Sequence, residues 1–108
     1  MVEKEQTLSI QDALELAAKH YNAGRLPKAE DICRQILNSD PNQHAALHML
    51  GMLAIRAGKH DLAVDLIGQA IAIQPNDAEE NYNLGMALQE LNRLDEATAS
   101  YRNTIATK

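Results

Sequence analysis

The chain has no tryptophan and no phenylalanine, and Tyr21, Tyr82 and Tyr101 are its only aromatic residues. A core must therefore be assembled from leucine, isoleucine, alanine and methionine, side chains that form or tolerate helices well. Cysteine occurs once, as Cys33, which excludes an internal disulfide and fits a reducing compartment. Basic residues are outnumbered by acidic ones, 10 against 15, and the net charge is -5. Nucleic acid requires a basic stripe that displaces counterions, and anionic membrane surfaces attract cations, so neither is an expected partner. A basic or apolar partner segment stays compatible with the acidity, which otherwise serves solubility. No apolar run approaches the length of a membrane span, and Met1 to Thr7 is polar rather than signal-peptide-like. The expectation is a cytoplasmic protein whose 108 residues make a single domain, with 1–8 as a polar lead-in.

What the chain does have is a period. Pro41 and Pro75 stand 34 residues apart (75 − 41 = 34). Leu16, Leu50 and Leu84 keep the same spacing, as do Ala29, Ala63 and Ala97. Gly24, Gly58 and Asn92 form a third column, and Ala17, Gly51 and Gly85 a fourth. A repeat of this length marks a solenoid, in which no unit buries its apolar face alone and each stacks on its neighbours. Within each period the apolar residues follow three-four spacing, as in Ala13, Leu16, Ala17 and His20, or Ala63, Leu66, Ile67, Ala70 and Ile71. The pattern predicts helices over 10–23, 27–39, 43–57, 60–73, 77–91 and 94–107, antiparallel because their connections are short. Ser9, Asn42 and Asn76 are the expected N-caps, Ser9 paired with Asp12 and Asn76 with Glu79 in capping boxes. Gly24, Gly58 and Asn92 are expected in left-handed conformation at helix ends. Pro27 suits a first helical turn, and Asp40-Pro41 and Gln74-Pro75 close units because proline disfavours helix in the residue before it.

These columns resemble the tetratricopeptide repeat family, whose pattern runs Trp-x-x-Leu-Gly-x-x-Tyr, then Ala-x-x-x-Phe, then Pro. The third unit reads Asn81-Tyr82-Asn83-Leu84-Gly85-Met86-Ala87-Leu88 followed by Ala97 and Tyr101. The second reads Leu47-His48-Met49-Leu50-Gly51-Met52-Leu53-Ala54 followed by Ala63, Ile67 and Pro75. The first is more degenerate: Ala13, Leu16, Ala17 and His20, then Ala29, Cys33 and Pro41. The resemblance implies an all-α, right-handed superhelical solenoid of three helix-turn-helix repeats, about 9–42, 43–76 and 77–108. It also implies a protein-binding scaffold with no catalytic residue and no cofactor. Ala17, Gly51 and Gly85 are small so that the two helices of a unit can approach. Larger side chains there are expected to cost about 1–3 kcal/mol by overpacking.

In this family the first helix of each unit lines a concave groove. Carried over by column, that groove displays Leu14, Ala18 and Tyr21, then His48, Met52, Ile55 and Arg56, then Tyr82, Met86 and Gln89, with Glu79 and Glu90 at the edges. Such a floor is apolar and rich in methionine, a flexible side chain that adapts to varied apolar ligands such as an amphipathic helix or extended peptide. The plainer reading is that Met49, Met52 and Met86 pack between neighbouring units. Some family members clamp a peptide carboxylate with Lys, Arg and Asn. The matching columns here carry Leu14, Ala18, Met49, Glu79 and Asn83, without the cations, so chaperone tails are not the expected ligand. The asparagine ladder of the O-linked N-acetylglucosamine transferases survives at one rung in the column Glu15, Met49 and Asn83. A place at the front of a bacterial glycosyltransferase or sulfotransferase stays an alternative.

Other chemistry is weaker. His44 and His48 lie four apart on one helix, a spacing that can hold a metal, but the sequence offers no obvious third ligand. The expectation is no metal site, with His44 exposed and His48 facing the groove. Cys33 falls in a core column and reads as a buried small hydrophobe. Pairs such as Glu79-Glu80 and Asp95-Glu96 suit the positive end of a helix. Because the chain stops at Lys108 with Leu88, Leu91 and Ile105 on its last pair, an open terminal face is expected. That face is compatible with self-association or with the front of a longer protein.

Overall fold

The computed structural model describes residues 9–106, so the lead-in at 1–8 lies outside the described residues. Over that range the chain forms α1 (Ile10–Asn22), α2 (Leu26–Ser39), α3 (His44–Arg56), α4 (His60–Ile73), α5 (Ala78–Glu90) and α6 (Leu94–Ala106), with no strand among the described residues. Successive helices pair as hairpins, α1 with α2, α3 with α4 and α5 with α6, and the hairpins stack through α2 on α3 and α4 on α5. The stack measures 57 × 25 × 20 Å, the elongated outline of a helical-repeat solenoid.

The helix ends follow local chemistry. Ser9 caps α1 by accepting from the Asp12 amide at 3.0 Å. Gly24, Gly58 and Asn92 have φ of 80°, 76° and 60°, and each lets the following amide fold back onto the helix it ends. Arg25 N reaches His20 O at 2.8 Å, Lys59 N reaches Ala54 O at 2.8 Å, and Arg93 N reaches Leu88 O at 2.9 Å. That bond is the six-to-one closure of a left-handed helix cap, and its recurrence makes the three hairpin turns copies of one another. Two expected caps are corrected. Gln43, not Asn42, caps α3 by accepting from Ala45 N, and Asp77, not Asn76, caps α5 by accepting from Glu80 N. The turn that follows each proline carries the chain one residue further before helical geometry begins. Asn42 instead donates its amide to Asp40 Oδ1 inside that turn.

The core forms two patches along the stack. One joins Ala17, Ala29, Cys33, Ile36, Ala46, Leu50 and Leu53; the other joins Ala54, Ala63, Ile67 and Ala87. Alanine at so many buried positions brings the helix axes close, which offsets the lack of aromatic volume. The glycine column serves the same approach. A Cβ at Gly51 would stand 2.7 Å from Ile67 Cγ1, and one at Gly85 would stand 2.6 Å from Tyr101 Cε1. Leu16, in the leucine column, is nevertheless exposed, on a face of α1 that no described helix covers. Cys33 is fully buried, and burial, aided by the charge of Glu30, pushes its thiol up to about 11, so the thiolate is suppressed at neutral pH.

Gly68, inside α4, has no such packing duty, because a Cβ there would meet nothing within 4 Å. Gly68→Ala should therefore stabilise the chain by about 1 kcal/mol, since alanine restricts the unfolded backbone. Thermal unfolding followed by circular dichroism should show a midpoint higher by roughly 4–8 °C.

Candidate functional site

The residues proposed from the sequence all sit on α1, α3 and α5, the first helix of each hairpin. Those helices meet along one face. Arg56 of α3 holds its guanidinium 5.1 Å from the centroid of the Tyr21 ring of α1. Asn83 of α5 donates through Nδ2 to Met52 Sδ of α3 at 3.2 Å. Leu14 and Tyr21 are partly buried and lean on the first core patch, as does Met49, while Ala18 is half-buried between them and solvent. Met49 is therefore a packing residue, whereas Met52 and Met86 remain half-exposed on the shared face.

The third hairpin opens into a hollow of about 430 Å³ lined by Ile55, Tyr82, Met86, Gln89 and Glu90, with Tyr101 and His60 closing its sides. Tyr82 is 48% exposed, and its ring tilts against Tyr101 at a centroid distance of 5.8 Å. Tyr101 donates its hydroxyl to Gln89 Oε1 at 2.8 Å, fixing that wall. His60 Nδ1 is buried and has no hydrogen-bond partner among the described residues. Tyr101 and His60 escape a reading of first helices alone, since both lie on second helices.

Toward the other end of α3 the structure overturns two expectations. His44 is not exposed: its side chain keeps only 16% of its surface. Glu80 is not simply an N-terminal charge but is wholly buried. Its Oε2 stands 3.1 Å from His44 Nε2 and 2.9 Å from His48 Nδ1, at ion-pair distance from both imidazoles, and outside those two contacts neither Glu80 oxygen has a partner among the described residues. Asp77 Oδ2 lies 4.0 Å from His44 Nε2, and Glu79 Oε2 lies 3.7 Å from His48 Nε2. His48 thus turns toward carboxylates rather than standing free in a groove. Contact with Glu80 raises its pKa above the ordinary histidine value against the opposing effect of burial, with the charges of Glu80, Glu79 and Asp77 assisting. The missed signal was a column: Glu80 falls 34 residues after Ala46, which is also fully buried.

Two models of the tetratricopeptide repeat match the chain, one over residues 44–77 and one over 66–99, together more than half of its length. The chain belongs to the tetratricopeptide repeat family. Tetratricopeptide repeats are in general non-catalytic interaction modules, so the shared face of α1, α3 and α5 is the natural candidate surface. Solved structures agree on the fold. A crystal structure of MamA superposes with a TM-score of 0.85 at 19% identity, over 92% of this chain and 58% of that one. The Thermobaculum terrenum O-GlcNAc transferase, in a mutant form, superposes with a TM-score of 0.87 at 28% identity, over 92% of this chain and 19% of that one. The second TPR of Spaghetti (RPAP3), bound to the HSP90 peptide SRMEEVD, gives 0.86 at 15% identity over 92% of both chains. This chain thus spans little more than half the length of the MamA chain and a fifth of the transferase. Among the described residues no helix is long and apolar enough to cross a membrane.

Against the tetratricopeptide repeat pattern, two buried polar residues of α5 stand out. Asn81 takes the place of the large apolar opener, and its Nδ2 donates to Asp77 O at 3.0 Å and to Pro75 O at 3.4 Å. Asn83, the surviving asparagine rung, is buried and bonded to Met52. Both side chains are engaged within the protein, the first tying α5 to its preceding turn and the second tying α5 to α3.

Proposed function

We propose that this chain is a protein-interaction module of three repeats, at 9–42, 43–76 and 77–108, that holds a short apolar peptide or helix against α1, α3 and α5. The observation that carries this reading is the hollow between Ile55, Tyr82, Met86 and Tyr101, which offers apolar walls, a half-exposed tyrosine and an unpartnered histidine nitrogen at one place. Sites of this kind bury an anchor side chain and orient it with a few polar groups. Glu90 at the edge of the hollow and the net charge of -5 favour a ligand with a basic residue beside its apolar anchor. The binding face is proposed to comprise Leu14, Ala18, Tyr21, Met52, Ile55, Arg56, Tyr82, Met86 and Gln89, with His48, turned toward Glu80, at its edge and the anchor seated at the Tyr82 end. A cytoplasmic setting suits the buried free thiol of Cys33.

The test is capture of partners from the source cell by the wild-type chain and by Tyr82→Glu with Met86→Glu, read by mass spectrometry. The pair of charges should reduce the captured partner at least about tenfold, the scale expected when a desolvated anchor is lost. Circular dichroism should stay helical, because neither residue belongs to the fully buried core. Capture unchanged by both charges would remove the face from consideration.

A second reading rests on α6, where Leu94 is 54% and Ile105 74% exposed. A second copy of the chain covering those side chains would make the module a self-assembling scaffold. Light scattering that stays monomeric across a wide concentration range would exclude it. As the front part of a larger bacterial enzyme such as a glycosyltransferase or sulfotransferase, the module would present the partner to another domain.

A further inference from the structure

We propose that His44, Asp77 and Glu80, with His48 beside them, bind one divalent transition-metal ion of the zinc class. The ligating atoms of His44, Asp77 and Glu80 lie within 4.8 Å of one another. Zinc holds imidazole nitrogen and carboxylate oxygen at about 2.0–2.2 Å in a tetrahedron, which places its ligand atoms roughly 3.4 Å apart. The distances here straddle that spacing: 3.1 Å from His44 Nε2 to Glu80 Oε2, 4.0 Å from His44 Nε2 to Asp77 Oδ2, and 2.9 Å from His48 Nδ1 to Glu80 Oε2. His44, Asp77 and Glu80 thus form the core of the site, and His48, 2.9 Å from Glu80 Oε2, is the neighbour able to supply a fourth ligand.

Glu80 supplies the independent observation. Its side chain is wholly buried, it points at both imidazoles, and neither of its oxygens has a hydrogen-bond partner among the described residues. Beyond the two imidazoles at ion-pair distance, the buried carboxylate has no donor among the described residues, and a cation between it and the histidines would hold its charge. The local fold also orients the ligands. Asp77 caps α5 by accepting from Glu80 N through Oδ1 at 3.1 Å, which leaves Oδ2 on the side of His44. The cap thus fixes the Asp77 carboxylate, the kind of supporting bond that metal ligands commonly have. Asp77, one-third exposed, gives an ion a way in from solvent.

The donor set selects the ion. Two imidazoles and two carboxylates suit zinc, cobalt or nickel, whereas calcium and magnesium take six or more oxygens. Two carboxylates balance the charge of one divalent ion. His44 and His48 belong to α3, and Asp77 and Glu80 to the start of α5, so the ion would fasten the second repeat to the third.

The experiment uses the tag-free chain, stripped with chelator and titrated with zinc chloride by calorimetry and with cobalt(II) chloride by visible absorption. One ion per chain is expected, together with a cobalt band of tetrahedral intensity. The thermal midpoint should rise by roughly 10 °C at a hundredfold zinc excess over the dissociation constant. His44→Ala and Asp77→Asn should each weaken zinc binding by at least about 30-fold. Asparagine caps helices as well as aspartate does, so Asp77→Asn keeps α5 folded while removing a ligand. Glu80→Gln should abolish the cobalt band, and His20→Ala, in the first hairpin, should leave zinc binding unchanged. Absence of saturable zinc binding, or binding that persists in both His44→Ala and Asp77→Asn, would overturn the site.

Discussion

Ile67→Ala should cost about 3 kcal/mol of folding free energy, within the 2–5 kcal/mol range of large-to-alanine changes in cores. Ile67 is among the largest fully buried side chains of the chain and sits at the centre of the second core patch. Its buried partners there are Ala54, Ala63 and Ala87. Those alanines have no side chain to swing into a cavity, so any relaxation falls to the partly buried Leu66, Ile71 and Leu84 at the margin of the patch and fills the space only in part. For a domain of this size the thermal midpoint should fall by roughly 15 °C or more. In urea the transition midpoint should drop while its slope is preserved, because the folded state loses packing but not its extent. A cost below about 1 kcal/mol would show that the patch repacks, contrary to the close helix approach described above.

The fold was legible in the sequence because its determinants are local and repeated. Gly24, Gly58 and Asn92 occupy one column because each must adopt positive φ, and few residues do so cheaply. Gly51 and Gly85 share a column because Ile67 and Tyr101 cross them at contact distance. Each of the six helices lies within two residues of its predicted span. The caps at Asn42 and Asn76 were misplaced because Gln43 and Asp77, one residue on, are also able to accept the orphan amides.

The face was legible by position and not by contact. Column counting puts Leu14, Tyr21, Met52 and Tyr82 on first helices, but it does not tell that Leu14 and Tyr21 lean into the core or that Asn83 binds Met52. Glu80 was hidden for a different reason. A carboxylate in a first turn already has an explanation in the helix dipole. Its burial depends on where α3 lies against α5, a relation between residues more than thirty positions apart. The two histidines at four-residue spacing were visible, whereas the acids that face them come from another hairpin.

The second large effect concerns the opposite error at the same contact. Gly51→Val should cost about 3 kcal/mol, the upper part of the overpacking range. The new Cβ alone would fall 2.7 Å from Ile67 Cγ1 and 3.4 Å from its Cδ1. Ile67 is fully buried and cannot step aside, and two further methyl groups add to the clash. The two large penalties should partly offset each other when combined. In Ile67→Ala both offending carbons are gone, and the nearest remaining atom to the new Cβ is the Ile67 backbone nitrogen at 3.8 Å, an ordinary contact. Valine at position 51 then fills part of the cavity made at position 67. The double variant should be about 2 kcal/mol more stable than the sum of the single losses, a coupling typical of residues in direct contact. Chemical denaturation of the four proteins in the cycle measures it. Additivity to within about 0.5 kcal/mol would mean that α3 and α4 do not meet at this pair, and with it would go the assignment of the small-residue column to helix approach.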